Sequence, residues 1–109
     1  MDLQHMQERA LAIAALYDRH NLAAGRQAWG PEQFMTGFVG DVGDLAKLVM
    51  AAEGRRADQG DDARDALGHE LADCLWSVLV LAKHYDVDLG AEFQRMTDGI
   101  ERYLASGGA

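Results

Sequence analysis

Glu70-Leu-Ala-Asp-Cys-Leu-Trp-Ser-Val-Leu-Val-Leu-Ala82 decides the fold of this chain. Residues 71–82 are apolar on nearly every side of a helix, the pattern of a helix buried all round. Yet Glu70 and Asp73 sit at its head. Spaced i, i+3, they share one helical face about one turn apart. Leu67, Cys74 and Leu81 flank them. The upstream stretch Phe38-Val-Gly-Asp-Val-Gly-Asp-Leu-Ala-Lys-Leu-Val49 repeats the arrangement, with Asp41 and Asp44 on the side that carries Phe34, Phe38, Leu45, Leu48 and Ala52. Unpaired buried carboxylates are costly. Four acids in two apolar stripes ask for a compensating charge, and a divalent cation held between two helices supplies it most simply.

Working outward, every periodic segment is helical. Leu3, Met6, Ala10, Ile13, Tyr17 and His20 step by threes and fours, predicting a first helix over residues 3–19 with Asp2 as its N-cap. Gly25 and Gly30 punctuate the linker that follows. Pro31 suits the first position of a second helix running to about Glu53. Gly37, Gly40 and Gly43 weaken that helix, and close approach of a partner helix or a ligand would account for them. Residues 54–62 form a polar loop. A third helix starts near Asp61 or Asp62 and runs to about Tyr85, and residues 86–88 make a short turn. A fourth helix carries Leu89, Phe93, Met96, Ile100 and Tyr103 or Leu104 on one stripe, before a frayed tail at residues 106–109. Four such helices predict an all-α, four-helix bundle forming one domain over residues 1–109. The all-round apolar third helix is hard to cover in one chain of this size, which favours self-association.

Composition narrows the function classes. Hydrophobic residues make up 49% of the 109 and there is one proline, which excludes a disordered chain. The net charge of −8 repels phosphate backbones and argues against nucleic-acid binding. A small phosphate ligand remains compatible, because a bound cation reverses the local field. The single cysteine, Cys74, favours a reducing compartment. With no signal peptide and no membrane-length apolar run, the expectation is a soluble cytoplasmic protein without membrane partners.

All-oxygen ligation favours Mg²⁺, with Mn²⁺ as the substitute. Neither Cys74 nor His69 has a second soft ligand at zinc spacing. Carboxylate-held Mg²⁺ keeps positions open for water and substrate phosphates. The residues alone therefore point to metal-dependent hydrolysis of a phosphoanhydride.

Asp41-Val-Gly-Asp44-Leu-Ala followed, about 25 residues on, by Glu70-Leu-Ala-Asp73-Cys-Leu-Trp resembles the MazG-like, all-α nucleotide pyrophosphohydrolases. Their signature is E-x-x-E followed by E-x-x-D, each on its own helix. The resemblance covers roughly residues 34–93. It implies an all-α NTP pyrophosphatase-like bundle assembled as a dimer or dimer of dimers. It also implies Mg²⁺-dependent cleavage of a nucleoside triphosphate to the monophosphate and pyrophosphate, with possible nucleotide-pool house-cleaning. Asp41, Asp44, Glu70 and Asp73 would be the metal ligands. The chain departs from the family in its Asp–Asp first pair, each one methylene shorter than Glu, and in Gly40 where many members carry a further acid. Gly40 and Gly43 would let the helices approach to compensate. These departures motivate the alternative of a nucleotide- or metal-binding helical oligomer that acts as a sensor or regulator without turnover. A third reading is a structural oligomer without a ligand.

Other residues carry paired readings. Trp29 is either a packing staple beside a helix start or a stacking surface for a base. Lys47 is a salt-bridge partner or a substrate phosphate contact. His69 is expected on the surface, His84 is a candidate support for the acids, Trp76 belongs to the core or a subunit interface, and Cys74 reads as a buried, inert thiol. Arg55 and Arg56 lie in a solvated loop that could close on phosphates.

Overall fold

The computed structural model of the protein describes residues 1–55 and 63–108. Its elements are α1 (Leu3–Ala23), α2 (Pro31–Ala52), α3 (Ala63–His84) and α4 (Leu89–Ala105), with no strand among the described residues. The expected start of the third helix at Asp61 or Asp62, and most of the polar loop before it with Arg56, lie outside the described residues.

Helix starts follow their capping chemistry. The Asp2 carboxylate accepts the His5 N–H at 2.9 Å. Pro31 opens α2, and the Gln33 side chain reaches back to accept the Gly30 N–H at 2.8 Å. Asp88 caps α4 by accepting the Ala91 N–H at 3.0 Å. The C-termini share one device. An N–H two residues past the last turn returns to a carbonyl five residues back: Arg26 to Asn21, Arg55 to Met50, Val87 to Ala82 and Gly108 to Tyr103, at 2.8–2.9 Å. This is the Schellman closure, and it requires a left-handed residue just before the donor. Gly25 supplies it after α1 with φ +76°, and so α1 runs one turn beyond the expected Arg19. After α3 the position is held by Asp86 at φ 59°. A β-carbon is penalised there, so Asp86→Gly is expected to stabilise the protein by about 0.5–1 kcal/mol, read as a rise in the thermal midpoint.

Phe34 meets Trp76, while Asp41 and Asp44 meet Glu70, so α2 and α3 run antiparallel. This pair forms the largest helix interface, and α1 packs on α3. The core is Ala10 and Ala14 from α1, Phe34 from α2, and Leu79 and Val80 from α3, with Met6, Trp76, Leu81 and Leu89 against it. Two alanines on α1 let that helix come close. The Trp76 indole N–H donates to the Ala10 carbonyl at 3.1 Å, and the Gln7 amide to the Leu79 carbonyl at 3.3 Å, tying α1 to α3.

α4 corrects the expected bundle. Leu89 packs on the core and Gly90 lies against Leu3, but α4 buries no residue. Phe93 is 61% exposed, and Met96, Ile100, Tyr103 and Leu104 are exposed with it. Within one chain, three helices pack together and the fourth leaves them. The radius of gyration is 17.4 Å, against about 13 Å for a compact chain of this length. Leu71 and Leu75 on α3 are exposed too, so the apolar wall read from the sequence is only partly covered.

The helix glycines divide. A β-carbon on Gly37 would lie 3.3 Å from the Trp29 ring, so Gly37 makes the bed on which Trp29 rests. Nothing lies within 4 Å of a β-carbon on Gly40 or Gly43. The expectation that those two admit a neighbouring helix is not met within this chain.

Candidate metal centre and adjoining cleft

Antiparallel packing of α2 on α3 brings the two acid pairs to one seam. Asp41, Asp44 and Glu70 each offer a carboxylate oxygen, and the three oxygens lie within 4.8 Å of one another. Asp41 and Glu70 are half-buried and Asp44 is exposed. Asp73 is not in this group. Its carboxylate oxygen lies 3.3 Å from His69 Nε2, one turn back on α3. His69 is on the surface as expected, but it is engaged with Asp73, an i, i+4 contact that the spacing already allowed.

The electrostatics register the crowding. Burial pushes the Glu70 carboxyl above its usual value, and the charges of Asp73, Asp41 and Asp44 push it further, while His69 opposes them. Asp41 is raised by burial, then by Asp73 and Asp44, again with His69 opposing. Burial first, and then Asp41, Glu70 and Asp73, raise the Cys74 thiol, which keeps it protonated and unreactive. Glu70 Oε2 is shielded from solvent and has no hydrogen-bond partner among the described residues. A buried carboxylate oxygen without a donor is costly. A cation would resolve the crowding and the missing partner together. The oxygen-only donor set suits Mg²⁺ or Mn²⁺, so the residues present fit the implied ion.

A pH dependence follows with a definite sign. A carboxyl raised on folding binds its proton more tightly in the folded state, so its contribution to stability is largest at low pH. That contribution is lost as pH rises above the usual glutamate value of 4.5 and through the raised folded value. Metal-free wild type is therefore expected to lose stability relative to Glu70→Gln over that window, measured as the difference between their melting temperatures.

Beside His69 and Asp73 opens a cleft of about 660 Å³. Tyr17, Trp29, Phe34 and Trp76 give it aromatic walls, and His69 and Asp73 stand at its border with the acids. The rings are mutually braced: Trp29 to Phe34 at 5.3 Å, Phe34 to Trp76 at 5.4 Å and Tyr17 to Trp76 at 5.8 Å between centroids. Phe34 precedes Asp41 by two turns, so the aromatic floor lies about 10 Å along the helix axis from the acids. His20, Asn21 and Arg26 line it from the end of α1 that lies toward His69, because Gln7 meets Leu79 and Ala10 meets Trp76 and α1 thus runs antiparallel to α3.

The residues singled out from sequence are thus sorted by the fold. Asp41, Asp44 and Glu70 converge, and Asp73 borders the cleft beside them. Trp29 packs on Gly37 and Phe34, its packing reading, and also lines the cleft. Lys47 is exposed and lines neither the acid cluster nor the cleft. His84 is exposed in the last turn of α3, edge-on to Tyr85 at 4.9 Å, three turns beyond Asp73. Sequence reasoning missed Tyr17, Asn21 and Arg26. Gly25 was the available signal, because it ends α1 so as to bring Arg26 back onto Asn21.

No protein-family model, no curated protein and no solved structure matches this chain. The resemblance to the MazG-like family rests on the two acid motifs and their surrounding text.

Proposed function

We propose that this protein is a Mg²⁺-dependent nucleoside triphosphate pyrophosphohydrolase that yields a nucleoside monophosphate and pyrophosphate. One observation carries the reading: a cluster of carboxylate oxygens at the α2–α3 seam lies one helical turn from Asp73, which lines an aromatic cleft whose floor is about 10 Å along the helix. That is the layout of a ligand with a polyanionic end and a planar, stackable end. A cation at the acids would neutralise phosphate charge and make a bound water more acidic. Asp41, Asp44 and Glu70 hold that cation. Trp29, braced by the buried Phe34, stacks the base and, by fixing the nucleotide, aligns the phosphates with the acids. The Asp73–His69 pair stands where the sugar–phosphate portion passes. The test is release of pyrophosphate from a panel of natural and damaged nucleoside triphosphates with Mg²⁺ or Mn²⁺. Turnover of at least one supports the reading, and silence across the panel with both metals ends it.

A second reading has its own observation. Three carboxylates converge rather than four, and the fourth is engaged with His69. A binding module that senses nucleotide without hydrolysing it would show calorimetric nucleotide binding and no pyrophosphate over hours.

The same proposal includes a homo-oligomer. The stripe of Phe93, Met96, Ile100, Tyr103 and Leu104 on α4, with Leu71 and Leu75 on α3, is more apolar surface than an isolated chain ordinarily exposes. Light scattering on the intact protein should give a dimer or tetramer. Ile100→Glu should shift it to monomer while leaving the helical circular dichroism unchanged. No helix of the described residues is long and apolar enough to cross a membrane.

A further inference from the structure

The side of the α2–α3 pair that faces away from α1 is bare. Trp76 and Leu79 turn one side of α3 toward α1, and Trp29 rests on Gly37 on the matching side of α2. At about 100° per residue, Leu71 and Leu75 turn to the opposite side of α3, and Met35, Val39, Val42 and Val49 turn to that same side of α2. These six apolar side chains stay 41–59% exposed. They form one face behind the acid seam, since Val42 follows Asp41 and Leu71 follows Glu70. The chain's own α4 does not reach this face. Its start is tied down on the α1 side: the Val87 N–H closes on the Ala82 carbonyl, Asp88 caps the helix, and Gly90 lies against Leu3 of α1. From there α4 leaves the other helices and carries its exposed stripe from Phe93 to Leu104 with it.

We propose that a second copy of this chain lays its α4 on the bare α2–α3 face and receives the first copy's α4 in exchange. The inference deepens the homo-oligomer reading above and rests on it. Two observations single out this occupant. The first is reciprocity. A two-fold exchange sets the bare face of each copy against the bare stripe of the other, so one operation covers both. Packing α2–α3 directly on its counterpart would leave both α4 stripes in water. The second is size. Residues 35–49 span about 21 Å of α2 and residues 93–104 about 17 Å of α4, at about 1.5 Å per residue. The eleven side chains of the two surfaces are 41–66% exposed and offer roughly 850 Å² per copy, taking about 150 Å² for a whole side chain. A stable specific interface takes about 800 Å² from each partner. The exchange also places a helix on both sides of the α2–α3 layer, which completes the four-helix packing that one chain leaves open.

Crosslinking reads the pairing directly. Val42→Cys and Ile100→Cys are made in separate chains, each with Cys74→Ala, and treated with a bismaleimide that spans about two helical turns, about 11 Å. Mixed, they should give a covalent dimer containing one chain of each, several-fold more than either variant gives alone. A second measurement keeps the native cysteine. Val39→Glu should raise the dissociation constant of the oligomer about tenfold or more by light scattering, as Ile100→Glu does, because each places a charge in the same apolar contact. Leu16→Glu, on an exposed position of α1 outside both surfaces, should leave assembly unchanged. Thermal melts of each variant establish that it is folded. Crosslinks between two Val42→Cys chains, with none between Val42→Cys and Ile100→Cys, overturn the inference and keep the oligomer. An oligomer that survives Val39→Glu but not Ile100→Glu does the same. A wild type that stays monomeric by light scattering ends the oligomer reading, and this inference with it. Pyrophosphate release is a separate readout, so loss of the hydrolase leaves the pairing standing.

Discussion

Glu70→Gln should cut Mg²⁺-dependent pyrophosphate release on the order of 10²–10³-fold and remove the stabilisation that Mg²⁺ confers on the fold. Glu70 belongs to the converging cluster and carries the shielded oxygen with no partner among the described residues. Gln is nearly isosteric, so packing survives while the anion is lost. A cation acting on phosphoryl oxygens contributes several kcal/mol of transition-state stabilisation, and each 1.36 kcal/mol is tenfold in rate. The thermal readout is independent of turnover. A ligand at about 100 times its Kd stabilises the folded state by about 2.7 kcal/mol, a shift that wild type should show and the variant should not. Without metal the order reverses above the usual carboxylate range, because the variant lacks the crowded charge. A variant that is less stable than wild type with and without metal would mean Glu70 serves packing alone.

Phe34→Ala should bring the protein close to unfolding. Phe34 is 7% exposed and sits between Trp29 and Trp76 at 5.3 and 5.4 Å, bridging the linker, α2 and α3. Removing a buried phenyl costs about 3–5 kcal/mol, against a total of roughly 5–15 kcal/mol for a domain of this kind. Urea unfolding should show a midpoint lowered by a third or more. The contrast is Phe93→Ala: that ring is 61% exposed on α4, so the same truncation should have little effect on the isolated chain. If both truncations cost alike, α4 is packed in solution as deeply as α2.

The helices and the acid seam were legible because local chemistry specifies them. Asp2 and Pro31 mark starts that hold to the residue, and i, i+3 spacing fixes which acids share a face. That Asp41, Asp44 and Glu70 meet follows once α2 and α3 pack antiparallel. What was not legible depends on contacts distant in sequence. Whether α4 folds back is decided by what its stripe finds, and in one chain it finds only the Leu89–Gly90 start. Gly40 and Gly43 look the same as Gly37 in sequence, yet only Gly37 has a ring above it. Asp73 shares a face with Glu70, but its side chain turns to His69, a choice made by rotamers that spacing does not determine. Arg26 reads as linker until the left-handed Gly25 is seen to bring it back onto Asn21.

The account depends on the acids at the α2–α3 seam holding a cation, and Mn²⁺ binding followed by electron paramagnetic resonance tests this most directly. Wild type should bind Mn²⁺ saturably and release it to excess Mg²⁺, with binding lost in Glu70→Gln and weakened in Asp41→Asn. Equal Mn²⁺ binding by wild type and Glu70→Gln, or none by either, would contradict it.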